Sequence, residues 1–362
     1  MHKANKGEWA EFYAFLKILA ERVIPLADED LLEVIGSEIT FVKLHRSSAA
    51  GNNYIFDLSN LDISILDQTT LTEIISIPTI QISSKLEKVF GEISRGKGAF
   101  VLSEAESLSA ALGNVLVKAP STDKADIVGT IRDRNTNTEE RSGFSVKSFV
   151  GGASTLLNAS GATNFIFRVD GMPTDNPADK ANEINDIDTT SKIRDRVAAI
   201  KEMGASLQFI RVSEPIFDRN LRKIDTMMPE FLAQMLLSFF GGNGNTCVDL
   251  TAQLAKPDQP FSNFGLSFED FAYKIKQLLV SVALGLVPKT PWDGLMKAHG
   301  GYLIVKSTGA LLCYQAFNRD LFLEYLFTHT KFETPSSTKH KYGSLYQVDG
   351  EWFLNLNLQI RF

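Results

Sequence analysis

Asp126 stands at the head of Ala125-Asp126-Ile127-Val128-Gly129-Thr130-Ile131, an apolar run that reads as a strand. Lys147 lies in Gly143-Phe144-Ser145-Val146-Lys147-Ser148-Phe149, which reads as the next one. In the second segment a period of two puts Ser145 and Lys147 on one face and Phe144, Val146 and Ser148 on the other. An acid and a lysine carried on neighbouring strands suit phosphodiester hydrolysis. Mg²⁺ is a hard cation that takes oxygen ligands and keeps several waters, so one or two carboxylates and a substrate phosphate suffice to hold it. The ion polarises the phosphate and lowers the pKa of its bound water, while a nearby lysine orients that water and offsets charge in the transition state. Asp126 and Lys147 fit these roles if their strands pair so that both side chains point to one end of the sheet. On pattern alone, such a pair is also what ordinary solvated edge charges give in many sheets.

A second carboxylate has to come from elsewhere. In D…(D/E)xK sites the residue two before the lysine is usually acidic, and here it is Ser145. Trp9, Phe12, Tyr13, Leu16 and Leu19 recur at helical spacing and predict an amphipathic helix from about Lys6 to Arg22. Glu8 and Glu11 lie three apart on one flank of it, so a helix packed across the sheet brings one of them to Asp126. Glu104 and Glu106 are the other candidates. They fall in the first turn of a helix predicted over Ser103–Leu112, with Ser103 and Glu106 spaced as a capping box, where the helix dipole alone favours acids.

The elements that must position these residues are short. Strands are predicted around Ile39–His45, Tyr54–Leu58 and Ile63–Leu66, and a helix over Ile82–Ile93. Asp133–Ser142 reads as the polar turn of a hairpin joining the two candidate strands, and Asn176–Thr190 as a charged linker into a helix at Ser191–Met203. Leu207–Val212 reads as a buried strand. Beyond about Pro215 come helices at Glu230–Phe240, Phe268–Leu284 and Asn318–Phe327, with hairpins at Tyr302–Phe317 and Leu345–Ile360 turning at Ser307-Thr308-Gly309 and Asp349-Gly350. A division into 1–214 and 215–362 is expected from this change of organisation.

Composition narrows the function classes. Of 362 residues, 44% are hydrophobic and 22% charged, which is globular composition, and no apolar run is long enough to span a membrane. The N-terminus lacks the apolar stretch of a signal peptide, so a cytoplasmic location is expected. Cys247 and Cys313 are the only cysteines and read as buried small hydrophobes. With five scattered His there is no zinc signature, and His329 and His340 lack the spacing of a His-based metal nuclease. Nucleotide-binding, lipase-type and kinase motifs are absent. The net charge of −6 is the wrong sign for coating nucleic acid by bulk attraction, so any DNA contact has to come from local patches.

Asn5 through Lys17, Ala125 through Gly129 with Gly143 through Ser148, Thr155 through Ser160 with Ala162 through Phe165, and Leu354 through Phe362 together resemble the HpaII-type restriction endonucleases. These belong to the PD-(D/E)XK nuclease superfamily. The resemblance implies an α/β (α+β) fold, a mixed central sheet flanked by helices with a helix-rich C-terminal half. It also implies a Mg²⁺-dependent type II endonuclease that cuts double-stranded DNA at a short palindrome, CCGG in the family's namesake. A homodimer is implied because two-fold protein symmetry matches a palindrome, and a DNA methyltransferase is implied as the functional companion. By motif position Asp126 becomes the metal-binding aspartate and Lys147 the catalytic lysine. Ser145 departs from the superfamily pattern and leaves the second ligand between Glu8 and Glu11.

Two segments offer donors and acceptors for base edges. Asn158, Ser160, Thr163 and Asn164 follow Lys147 closely in sequence, with a helix cap as their plain alternative. Ser337, Thr338, Lys339, His340 and Lys341 form, after Ser336, the most basic polar loop of an acidic chain. The competing functional reading is a non-catalytic DNA- or protein-binding scaffold whose hairpin charges are surface decoration.

Overall fold

The computed structural model describes residues 2–28, 30–118, 125–132, 137–151, 154–296, 298–314 and 319–362. Part of the expected polar turn (133–136), the end of the expected 302–317 hairpin and Asn318 lie outside them. The chain opens with α1 (Lys6–Glu21), whose capping box is closed by Asn5 and Glu8, each backbone N–H donating to the other's side chain at 3.0 and 2.9 Å. Then come β1 (Val23–Ala27), β2 (Glu33–Ser47), β3 (Asn53–Asp57), β4 (Asp62–Asp67) and β5 (Glu73–Pro78). They are followed by α2 (Ile80–Ser83), α3 (Leu86–Arg95), α4 (Ser103–Ala111), β6 (Ile127–Arg132) and β7 (Glu139–Ser148).

Beyond β7 the chain enters β8 (Thr155–Leu157), β9 (Asn164–Asp170), α5 (Pro177–Asn185), α6 (Lys192–Glu202) and β10 (Ser206–Val212). Four helices continue it: α7 (Pro215–Ile224), α8 (Met228–Phe240), α9 (Cys247–Leu254) and α10 (Phe268–Leu284). It closes with β11 (Gly301–Val305), β12 (Leu311–Tyr314), α11 (Arg319–His329), β13 (Lys331–Phe332), α12 (Ser337–His340), β14 (Leu345–Val348), β15 (Glu351–Asn357) and β16 (Ile360–Arg361). Two compact units result, one of Met1–Ser154 with Met296–Tyr325, the other of Thr155–Leu295 with Leu326–Phe362. The division therefore falls at residue 154 rather than 214, and the chain returns to the first unit for β11 and β12. Sequence composition does not mark that return.

The first unit is built on a nine-stranded mixed sheet in the order β1-β12-β11-β7-β6-β2-β3-β4-β5, and β1 also pairs with β2. The strands from β1 round to β2 thus close on themselves, and β3 to β5 run off β2 as an antiparallel extension. The 15-residue β2 makes this possible by serving β1 with one end and β3 and β6 with the other. Antiparallel pairing sets Ile127 opposite Phe144, and parallel pairing sets Tyr302 and Ile304 of β11 opposite Ser145 and Lys147. Phe144 and Val146 enter the core with Phe12, Phe15 and Leu16 of α1, so α1 covers the face of β7 opposite Lys147. Gly129 is required for that packing: a Cβ there would stand 2.7 Å from the Phe41 ring and 3.1 Å from Leu44.

The second unit holds a four-stranded sheet, β10-β9-β15-β14, a three-stranded one, β13-β16-β8, and helices α5 to α10. Several local expectations are corrected. The helix expected over Ile82–Ile93 is two helices, α2 and α3, and α4 starts from Leu102 with no side-chain cap because Ser103 is already helical. The 176–190 segment contains α5, anchored by buried Ala181 and Ile184. β10 pairs only with β9, so it is an edge strand and half-exposed rather than buried. Among the described residues no helix is long and apolar enough to cross a membrane.

Candidate active site

Asp126 sits one residue ahead of β6 and is fastened to β7 at both ends. Its N–H donates to the Phe144 carbonyl at 2.8 Å, and its Oδ2 accepts the Val146 N–H at 2.7 Å and the Ser145 hydroxyl at 3.0 Å. The carboxylate therefore lies against the backbone next to Lys147. Ser145, in the position where the acidic residue was expected, is a donor to Asp126. The Lys147 Nζ stands 5.3 Å from the centroid of the Tyr302 ring, a cation–π arrangement made available by the β7–β11 register. Burial pushes the Lys147 ammonium below its ordinary pKa, and the charges of Asp126 and Glu11 pull the other way.

Of the two glutamates on α1, Glu11 joins this group. Burial, and then the charge of Asp126, raise the Glu11 carboxyl to about 8, with Arg46 and Lys147 opposing. A carboxyl raised by burial and then by a neighbouring carboxylate is a candidate for holding a cation or a shared proton. Glu8 is engaged otherwise, in the α1 capping box and in an ion pair with Lys118 at 2.7 Å. Burial would raise its pKa, but Lys118 and the Asn5 N–H outweigh that and hold it below the ordinary range. Glu104 is taken up by Lys85 and Lys88 at 2.8 and 2.7 Å, which hold its carboxyl down at about 2, and Glu106 accepts from the His2 N–H.

Arg46 completes the charge set. It occupies a core-facing position of β2, lies 5.2 Å over the Phe15 ring, and donates to the carbonyls of Leu116 (2.9 Å), Asp126 (3.0 Å) and Val117 (2.5 Å). Burial lowers it to about 10 against the pull of Glu11 and Asp126. Sequence reasoning missed Arg46, although an arginine two residues after Leu44 in an alternating strand was the available signal. Beside Asp126 opens a cleft of about 220 Å³ lined by His45, Arg46, Lys118 and Arg141. Among the described residues no three Cys, His, Asp or Glu side chains converge as a complete metal cage.

The sequence matches the profile of the HpaII restriction endonuclease family over residues 5–362. The chain belongs to that family. The type II restriction enzyme HpaII of Haemophilus parainfluenzae is 34% identical to it over 362 residues, covering 99% of this chain and 98% of that protein. No solved structure matches significantly. In this member of the HpaII family the segments proposed to read DNA are placed differently from one another. Thr163 and Asn164 are buried, at 0% and 4% exposure, and Ser160 caps the turn that precedes β9. Asn357 ties the three together, donating to the Ser160 carbonyl at 2.7 Å, the Thr163 hydroxyl at 3.2 Å and Asn164 Oδ1 at 2.6 Å. They join β9 to β15 and face inward; Asn158 alone of that group is exposed. Ser337 through Lys341 form α12 and its cap on the surface, held from below by Asn164, which donates to the His340 carbonyl at 3.0 Å.

Replacing Arg46 with leucine strands three carbonyls and removes a buried cation whose charge acts on the half-buried Glu11 and Asp126. The expected result is a loss of about 3–5 kcal/mol in urea unfolding. Unchanged stability would show that water replaces the guanidinium there.

Proposed function

We propose that this HpaII-family chain is a type II restriction endonuclease that hydrolyses double-stranded DNA at a short palindrome, with CCGG the expected target and Mg²⁺ the cofactor. The observation that carries the reading is the meeting of Glu11, Asp126 and Lys147 within one unit of a chain that matches the family along its length. A carboxylate fastened beside a second, partly buried carboxyl suits a hard divalent cation, which needs only one or two protein ligands beside a substrate phosphate. Asp126 and Glu11 would hold the ion, and when bound it would polarise the scissile phosphate and acidify its bound water.

The chain's own residues do the rest. The Val146 N–H and the Ser145 hydroxyl fix Asp126, so the carboxylate needs no reorganisation when DNA arrives. Lys147, with its ammonium partly desolvated, donates to the attacking water or to a phosphate oxygen and offsets the charge that develops there. Glu11 supplies from α1 the charge that the PD-(D/E)XK pattern usually places two residues before the lysine. A homodimer reading the two halves of the palindrome, and a methyltransferase protecting host DNA, complete the proposal.

The test is digestion of unmethylated phage DNA by the purified protein with and without Mg²⁺, followed by sequencing of the fragment ends. Discrete metal-dependent fragments sharing one palindrome are expected. Intact DNA across a range of divalent metals would overturn the reading in favour of a DNA-binding scaffold.

A further inference from the structure

In the second unit three hollows of about 490, 420 and 450 Å³ run into one another. The first two share Lys192, Ser337 and Thr338, and the first and third share Arg194, Phe239 and Thr334. Together they form a groove between the first turn of α6 and the segment from Thr334 to Lys341. Its electrostatics run against those of the chain as a whole, where 43 acidic residues outnumber 37 basic ones. No carboxylate lines the first two hollows, and the one in the third, Glu333, is held by Arg361 at 2.5 Å. Hydroxyls and cations line the groove instead.

Arg194 is the centre of the argument. It is exposed, and no hydrogen bond or ion pair among the described residues uses its guanidinium. The group is nevertheless positioned: it sits beside Gly242, where a Cβ would stand in van der Waals contact, 3.8 Å from Arg194 Nε and Cζ, and Gly242 itself has φ +82°. A loop glycine thus lies beside a planar cation that lines a groove whose one carboxylate, Glu333, is already paired with Arg361. Lys341, at the other end, has φ +53°, and among the described residues no hydrogen bond or ion pair uses its ammonium, whereas Lys192 is paired with Asp188 at 2.9 Å. A planar guanidinium offers the bidentate donor geometry that matches the O6 and N7 acceptors of guanine. Ammonium and hydroxyl groups are suited to phosphate oxygens.

We propose that this groove receives the target duplex, with Arg194 reading a guanine and Lys341 contacting backbone phosphate. The inference rests on the restriction-endonuclease reading and adds to it the surface that sets specificity. It also assigns the Ser337–Lys341 loop to phosphate contact rather than to base reading.

The test uses the full chain and the site revealed by wild-type digestion. Cleavage rates are measured on that site and on duplexes altered by one base pair, and duplex binding is measured without divalent ions over a range of salt. Arg194→Ala is expected to lower the preference for the true site about 10- to 100-fold with the melting temperature unchanged. Lys341→Ala should weaken binding to all duplexes alike and reduce the salt slope by about one. Arg194→Lys, which keeps the charge and loses the fork, should not restore the preference. Wild-type preference in Arg194→Ala or a wild-type salt slope in Lys341→Ala would overturn this inference alone. A wild-type chain that neither binds nor cuts any duplex would overturn both this inference and the function on which it rests.

Discussion

Replacing Asp126 with asparagine is expected to cut turnover by at least about 10³-fold while leaving duplex affinity equal or higher. The amide oxygen of asparagine still accepts the Val146 N–H and the Ser145 hydroxyl, so β6 and β7 keep their register and the fold is retained. What disappears is the negative charge needed to attract a cation, and with it the repulsion between that charge and the phosphates of DNA. Lys147→Met should lose activity to a similar degree, because methionine keeps the stem packed near Tyr302 and removes only the ammonium. Single-turnover cleavage and gel-shift binding check both variants. Turnover within tenfold of wild type in Asp126→Asn would remove these residues from the reaction.

Glu11→Gln should also abolish cleavage, and it should make the protein more stable. In the native state burial and the charge of Asp126 hold the Glu11 carboxyl at about 8, against an unfolded value near 4.5. Between those two values the native state binds a proton that the unfolded state has released, so stability falls as the pH rises through that window. The penalty at pH 8 is on the order of a few kcal/mol, enough to lower the melting temperature by roughly 5 °C or more. Glutamine, which never ionises, removes it. The wild-type curve of melting temperature against pH should therefore slope downward from about pH 5 to pH 8, and the curve of the variant should be flatter and higher. Mg²⁺ at pH 8 should raise the wild-type melting temperature and leave that of Glu11→Gln nearly unchanged, because binding to the native state alone stabilises it. A variant less stable than wild type at pH 8 would show that Glu11 is held by contacts rather than by its neighbour's charge.

Much of this site was legible because its parts are local. Asp126 at the head of β6 and the 145/147 face of β7 follow from strand periodicity, and the 6–21 helix follows from its aromatic stripe. Choosing between Glu8 and Glu11 needed tertiary information. Both lie on one flank of α1, and only the approach of Lys118 to one and of Asp126 to the other separates them. The burial of Thr163 and Asn164 was not legible, because Ser, Thr and Asn look the same in sequence whether they face a DNA groove or a partner such as Asn357, which lies nearly 200 residues away. β1 escaped notice because Pro25 interrupts its apolar pattern, and β5 because Ile74 and Ile75 break alternation in an exposed edge strand.

The order of strands around the closed sheet also has a consequence for biosynthesis. β7, which carries Lys147, is flanked by β6 and by β11, and β11 begins at Gly301. A ribosome that has finished the lysine strand must still make the whole intervening part of the second unit before it reaches the tyrosine that walls the lysine in. At ordinary translation rates that interval is on the order of 10 s. A chain released during it would carry the acids and the lysine beside an unpaired strand edge, without the aromatic wall. If the chain cuts DNA as proposed, such fragments should not, so the order in which the strands are made would hold back cleavage until β11 is in place.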